Sequence, residues 1–441
     1  LKPPVRPAPH RGVQPPRRAP RSARARAVAS KPRAARHWST PLGDAGSRRL
    51  WRLKLPCRRS MGVSFGVLAP CCRCPMVKEA SSAPAPREEA MNEQAVSVEE
   101  LDRWKVAARF RTPVTMLPVD ILLDYGMDPF RFERQALCAF FVQMAQFLGL
   151  TERFALATST VLGYADEVSL TYRNVPYHSF LHAFSVTQFL FTLCTTSELV
   201  SSILNEEELL AMFVASLAHD ADHPGNNNAW EVATKSALAV RYSDSAVLEQ
   251  HHAAVGMRIM SSDKRNMFGT LDDRAQEEAR RTYFHAILAT DMAVHSKMVD
   301  DIKQRSSWRE QAFDRTSPAD RRELTGVLLH SADISNPLLP EFALCRTWAE
   351  RIKEEFWAQY NRELETGLPP TQMWASLGTN AGFYKSQVGF IDFIVQPLWN
   401  TIFEIFPDVP ADGRLRESLS DNRDQWVKKS EAEAIVAATR S

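Results

Sequence analysis

The chain has 441 residues, 44% of them hydrophobic and 24% charged, with a net charge of +2, enough for one large globular domain with a tail or for two domains. The small net charge conceals an asymmetry: residues 1–60 carry 17 Lys or Arg against one acid, Asp44, whereas the remainder carries 37 basic and 51 acidic residues. An acidic body argues against a nucleic-acid-binding domain, and the lack of any run of 18 or more apolar residues excludes a predicted transmembrane helix.

Residues 1–95 read as a basic tail rich in Pro, Arg and Ala, ahead of a body over 96–441. Residues 1–60 hold few apolar positions at a helical period and are predicted to be disordered, since they bury too little surface to offset their ordering entropy. A transit-type presequence and a leader lying ahead of a true start at Met61 fit the same composition. If Met61 were the start, Gly62 would be open to myristoylation and Cys71, Cys72 and Cys74 to palmitoylation, which together anchor a protein to a membrane. Gly66 stands where that pattern wants Ser or Thr, and the alternative is a tail with incidental cysteines. No recognisable regulatory domain fits into 1–95. Cys57 joins these three in the tail, while Cys138, Cys194 and Cys345 are scattered in the body. An odd, scattered set in a large core predicts reduced thiols in the cytoplasm.

From about residue 96 the composition becomes globular, and Glu99, Glu100, Leu101, Trp104 and Lys105 look like the start of a helix. Helix-period stripes follow: Phe184, Gln188 and Phe191 beside Val186 and Leu190; Leu209, Leu210, Phe213, Val214 and Leu217; and late in the chain Phe390, Ile391, Phe393, Ile394 and Leu398. Alternating strand patterns are rare, prolines punctuate the helices, and there is no repeat at a solenoid period. The body is therefore expected to be all-α, with many helices.

Polar residues gather at the ends of these apolar runs. His178 and His182 are four apart, a spacing that on a helix places both rings on one face. His219-Asp220-Ala221-Asp222-His223 closes the Phe213–Leu217 helix, and Pro224-Gly225 turns the chain so that several polar groups can converge. Glu249-Gln250-His251-His252 opens another helix; taken alone it reads as a solvated helix end. Asp333 follows Val327-Leu328-Leu329, where a lone Asp is usually a cap. Nitrogen and oxygen donors without thiolates suit divalent ions such as Zn²⁺, Mg²⁺ and Mn²⁺ at a catalytic site.

Taken in order, these elements resemble the catalytic domain of class I 3',5'-cyclic nucleotide phosphodiesterases, with the motif core at about residues 150–400. The resemblance rests on His178-Ser179-Phe180-Leu181-His182, His219 to Asn228, Leu248-Glu249-Gln250-His251-His252, Thr290-Asp291-Met292, His330 to Pro337, and Ser386-Gln387-Val388-Gly389-Phe390-Ile391-Asp392-Phe393. Ser179 replaces the family's Asn, and Ala221 is smaller than the usual aliphatic residue. The resemblance implies a compact, HD-type helical domain. It implies that His182, His219, Asp220 and Asp333 hold one metal, zinc, and that Asp220 reaches a second, Mg²⁺ or Mn²⁺. His178 would be the general acid, oriented by Glu249, with His223 and Thr290 supporting the metals' water ligands. Gln387, Phe390 and Asn336 would bind the cyclic nucleotide, Asn336 tilting the preference toward cAMP over cGMP. An HD-type metal phosphohydrolase acting on another nucleotide and a catalytically silent nucleotide-binding scaffold stand as alternatives.

Overall fold

The computed structural model describes residues 94–96, 114–308, 311–410 and 413–440. The expectations for the tail, its lipidation sites and a helix starting near Glu99 lie outside the described residues. The compact unit to which the described residues belong spans Pro86–Ser441.

Two three-residue strands, β1 (Gln94–Val96) and β2 (Val114–Met116), pair antiparallel with Ala95 opposite Thr115, an addition to the expected helices. The chain after β2 is held by Gln143, whose side chain accepts from Leu117 N (3.2 Å) and donates to Leu117 O (2.5 Å). Among the described residues, everything else regular is helical. The early helices are α1 (Val119–Leu122), α2 (Arg134–Phe147), α3 (Leu150–Arg153), α4 (Thr158–Ser169), α5 (Phe180–Thr196), α6 (Glu198–Ile203) and α7 (Glu206–Ala218). Next come α8 (Asn228–Ala233), α9 (Ala237–Arg241), α10 (Val247–Met260), α11 (Asp273–Leu288), α12 (His295–Ser306) and α13 (Pro318–Asp333). The last four are α14 (Phe342–Thr366), α15 (Asn380–Phe390), α16 (Gln396–Ile405) and α17 (Arg414–Arg440).

Helix α7 is the centre of the site-bearing half, packed by α5, α10, α11 and α13. Its start is set locally. Asn205 Oδ1 accepts from Glu208 N (2.7 Å) and Glu208 Oε2 from Asn205 N (3.1 Å), a reciprocal cap, and three glutamates favour the positive helix end. Ten of its residues are buried, so the helix is apolar nearly all round, as a core helix must be. Phe213 stacks on Phe141 of α2 with centroids 4.4 Å apart. The expected stripe on α5 is likewise interior: Phe184, Val186, Gln188, Leu190 and Phe191 are all buried. Gln188 satisfies its amide there by donating to Leu122 O (2.8 Å) and Asp124 O (2.9 Å).

The stripe predicted at Phe390–Leu398 does not run as one α-helix. Ile391–Val395 forms a π-helical turn between α15 and α16. The wider turn breaks the 3.6-residue period and leaves Phe393 78% exposed while Ile391 and Leu398 are buried.

Candidate active site

Three helix ends meet at one buried point. His182 lies in the first turn of α5, His219 caps α7, Asp220 follows it, and Asp333 is the last residue of α13. One donor atom from each lies within 4.8 Å of the others. His182 Nε2 is 2.9 Å from Asp333 Oδ1 and 3.5 Å from Asp220 Oδ2, and His219 Nε2 is 3.3 Å from each carboxylate. His219 Nδ1–H donates to Ser216 O (2.8 Å), which turns Nε2 toward the carboxylates. Asp220 Oδ2 is buried without a hydrogen-bond partner. An orphaned carboxylate oxygen facing two imidazole nitrogens and a second carboxylate is the donor set a divalent cation satisfies. Burial disfavours the charged form of His219, but Asp220 and Asp333 outweigh it and hold its pKa well above the usual imidazole value. Burial likewise opposes ionisation of Asp220 and Asp333, and His219 overcomes it and holds both low.

His178 does not share a helix face with His182. Helix α5 begins at Phe180, so His178 sits in the preceding turn, its ring centroid 6.0 Å from that of His182. Its ring stacks on His223 at 3.9 Å, beside the four-residue cluster. The carboxylate that holds it is Glu355 of α14, not Glu249. Glu355 Oε1 pairs with His178 Nδ1, and Oε2 accepts from Tyr177 N (3.0 Å) and His178 N (3.3 Å). Glu249 instead accepts both contacts of Asn228 Nδ2, at 2.9 and 3.2 Å. Burial and the neighbouring Asp291 push its pKa up to about 7. The Glu249–His252 stretch is no solvated helix end, because His251 and His252 are buried on α10.

Burial lowers His223 well below the ordinary imidazole value, helped by the charge of His178. Its Nδ1 accepts from Gly225 N (3.0 Å). Gly225 holds φ +77°, a left-handed conformation natural to glycine, which bends the chain back under the ring. Thr290 is buried and donates to Ile287 O (2.8 Å). Asn336 donates to Tyr177 Oη (2.7 Å), and the Tyr177 ring lies 4.5 Å from that of His182, so the residue expected to touch substrate is tied to the cluster. Gln387 and Phe390 lie one turn apart and half-buried at the end of α15.

Glu355 escaped the sequence reading for a physical reason. Arg351, Glu355, Gln359, Arg362 and Glu363 are spaced along one side of a charge-rich helix, a pattern that looks like a solvated face. In the fold, Glu355, Gln359 and Glu363 are buried. Arg351 donates to Pro176 O (2.9 Å), Gln359 accepts from Asn227 N (2.9 Å), and Arg362 bonds Asn226. Only the period of four among long polar side chains hinted at it.

Fold and site together define an all-α protein with a buried His–Asp cluster suited to divalent cations. Residues 177–411 match the family model for 3'5'-cyclic nucleotide phosphodiesterase, and the chain belongs to that family. It is 35% identical over 316 residues to 3',5'-cyclic-AMP phosphodiesterase 4C of Rattus norvegicus, covering 69% of this chain and 57% of that protein. It is 31% identical over 325 residues to the probable 3',5'-cyclic-AMP phosphodiesterase pde-4 of Caenorhabditis elegans, covering 72% and 47%. The chain thus spans about half the length of the curated relatives it matches. Among solved structures it resembles the phosphodiesterase domain of the RhoPDE fusion protein from the choanoflagellate Salpingoeca rosetta. That match has a TM-score of 0.67 at 28% identity and covers 71% of this chain and 96% of the other. No helix among the described residues is long and apolar enough to cross a membrane.

Proposed function

We propose that residues 96–441 form a catalytic domain that hydrolyses 3',5'-cyclic nucleotides, cAMP ahead of cGMP, to nucleoside 5'-monophosphates. The observation that carries this reading is the convergence of His182, His219, Asp220 and Asp333 within 4.8 Å, with His178 at their edge. Those four residues would hold zinc, and Asp220 would also face a second ion, Mg²⁺ or Mn²⁺. When bound, such cations supply charge neutralisation for a phosphodiester and lower the pKa of a water molecule.

The chain's own residues do the rest. His178 keeps a proton at neutral pH, because Glu355 more than offsets burial and raises its pKa to about 9. It is thereby the candidate to protonate the departing 3' oxygen. Its side chain is 21% exposed, so substrate can reach it. Glu355 fixes which imidazole nitrogen faces outward by holding Nδ1. Phe390 offers a π-face for the purine and Gln387 a donor and an acceptor for its edge. Asn336 and the relatives' being named cyclic-AMP phosphodiesterases support cAMP. The unpaired, buried Cys138, Cys194 and Cys345 support a cytoplasmic, reducing compartment. If Met61 is the start, acylation of Gly62 with Cys71, Cys72 and Cys74 would bring the chain to a membrane, and mass spectrometry of the native N-terminus tests it.

The decisive experiment measures cAMP and cGMP turnover with and without chelator. Chelator is expected to abolish turnover, and His178→Ala to lower kcat by about 10²–10⁴-fold while leaving bound zinc in place. Full turnover by His178→Ala would remove it as the proton donor, and chelator-resistant turnover would remove the metal reading.

A further inference from the structure

Helix α17 begins beyond residue 411, where the family match ends. Three neighbouring side chains on it nevertheless reach both segments assigned above to the purine. Asn422 is buried, and its Nδ2 donates to the carbonyls of Pro337 (2.9 Å) and Leu339 (2.8 Å). Those carbonyls belong to the turn that Asn336 opens. Arg423 grips Asp392 with a two-pronged contact, Nε to Oδ1 at 2.5 Å and Nη2 to Oδ2 at 3.0 Å. Asp392 lies in the π-helical turn two residues after Phe390. Trp426 is fully buried and packs on Phe383 (5.5 Å) and Tyr384 (5.8 Å), about one turn before Gln387.

The chemistry of each contact suits fixing a position. A buried amide with both hydrogens engaged leaves its partners little freedom, because an unpaired carbonyl there is costly. A guanidinium fork on a carboxylate sets orientation as well as distance. π-Helical turns are rare and occur mostly as single turns, frequently at functional sites, so such a turn profits from an outside brace.

We propose that Asn422, Arg423 and Trp426 are positioning residues for the nucleotide base. They tie the Asn336 turn and the Gln387–Phe390 segment to one rigid helix and so set how the purine fits among Asn336, Gln387 and Phe390. This rests on the reading of those three residues as the base site.

The test uses the full chain and two kinds of substrate: cAMP and cGMP, and bis(p-nitrophenyl) phosphate, a diester without a purine. Arg423→Met keeps the side chain's apolar stem and removes the fork. Its KM for cAMP is expected to rise about tenfold with kcat, and the rate on the purine-free diester, within about twofold of the parent. Arg423→Lys, which keeps charge but not the fork, is expected to fall between. An unchanged KM, or an equal loss on both kinds of substrate, would overturn the proposal, the second outcome marking a merely structural role. If Arg423→Met does not fold, Asp392→Asn carries the same expectation from the other side of the pair. Phe390→Ala separates the two readings. If it leaves KM for cAMP unchanged, the base site is misassigned; if it raises KM while Arg423→Met does not, the base site stands and the brace fails.

Discussion

At the scale of single residues, the pairing of His178 with Glu355 predicts how the proposed activity responds to pH. Partial burial works against the charged imidazole, yet the carboxylate lifts its pKa to about 9 and is itself held below the usual carboxylate value by the imidazolium. The acid form is therefore present at neutral pH and is lost as pH rises through about 9. Glu355→Gln removes the lifting charge, so the alkaline limb of kcat should move down by about one unit or more, toward the ordinary imidazole value. A pH–rate profile checks this, and an unmoved limb would show that His178 does not set it. Stability follows the same linkage. The folded-state pKa of His178 is raised, so its contribution is complete below an unfolded value of about 6.5 and fades as pH climbs toward 9. Thermal unfolding of the parent between pH 6.5 and 9 should show this decline, and that of Glu355→Gln should be flatter.

At the scale of elements, the site depends on how closely α10 and α11 approach. Gly256 of α10 lies against Tyr283 of α11 so tightly that a Cβ there would sit 2.1 Å from Tyr283 Oη and 3.0 Å from Ala218 Cβ on α7. Gly256→Ala must push these helices apart, at a cost of about 1–3 kcal/mol as overpacking commonly does. The shift would carry Glu249 and His252 with it, two residues whose hydrogen bonds to Asn228 and to Ala221 O (2.7 Å) bind α10 to the turn after α7. Chemical denaturation checks the stability, and parent-like stability would mean that Tyr283 swings away freely. The helical period was a sound guide to α5 and α7 because apolar side chains there fill the interior. It failed at Ile391–Val395, because a π-helical turn carries no distinct apolar signature.

At the scale of the whole molecule, the donors come from three mutually packed helices, α5, α7 and α13, whose ends bring two imidazoles and two carboxylates together. Without a cation, Asp220 Oδ2 is left without a donor and two carboxylates share one buried spot. A cation that binds the folded chain and not the unfolded one stabilises it by mass action, about 4 kcal/mol at a thousandfold excess over Kd. Zinc is therefore expected to raise Tm by several degrees over chelator-treated protein, and Asp333→Asn to lose most of that rise. Differential scanning calorimetry with zinc and with chelator decides it, and an equal Tm in both would speak against a metal held by these four residues.

Residue types and local spacing already pointed to the helical body and to polar groups gathered at helix ends, and the resemblance of those motifs to a family singled out His182, His219, Asp220 and Asp333, with His178, as the expected site. Those features were legible because apolar periodicity and helix-end motifs are short-range, written within a turn or two of chain. The tertiary structure decided what depends on distant segments meeting. It chose Glu355, 177 positions away from His178, over the nearer Glu249. It buried Glu355, Gln359 and Glu363 on a helix whose charge looked solvent-facing, and it brought α17 onto both the Asn336 turn and the segment after Phe390. A carboxylate's partner is set by where packing delivers the opposite charge, and the spacing of residues along one stretch of chain does not record that.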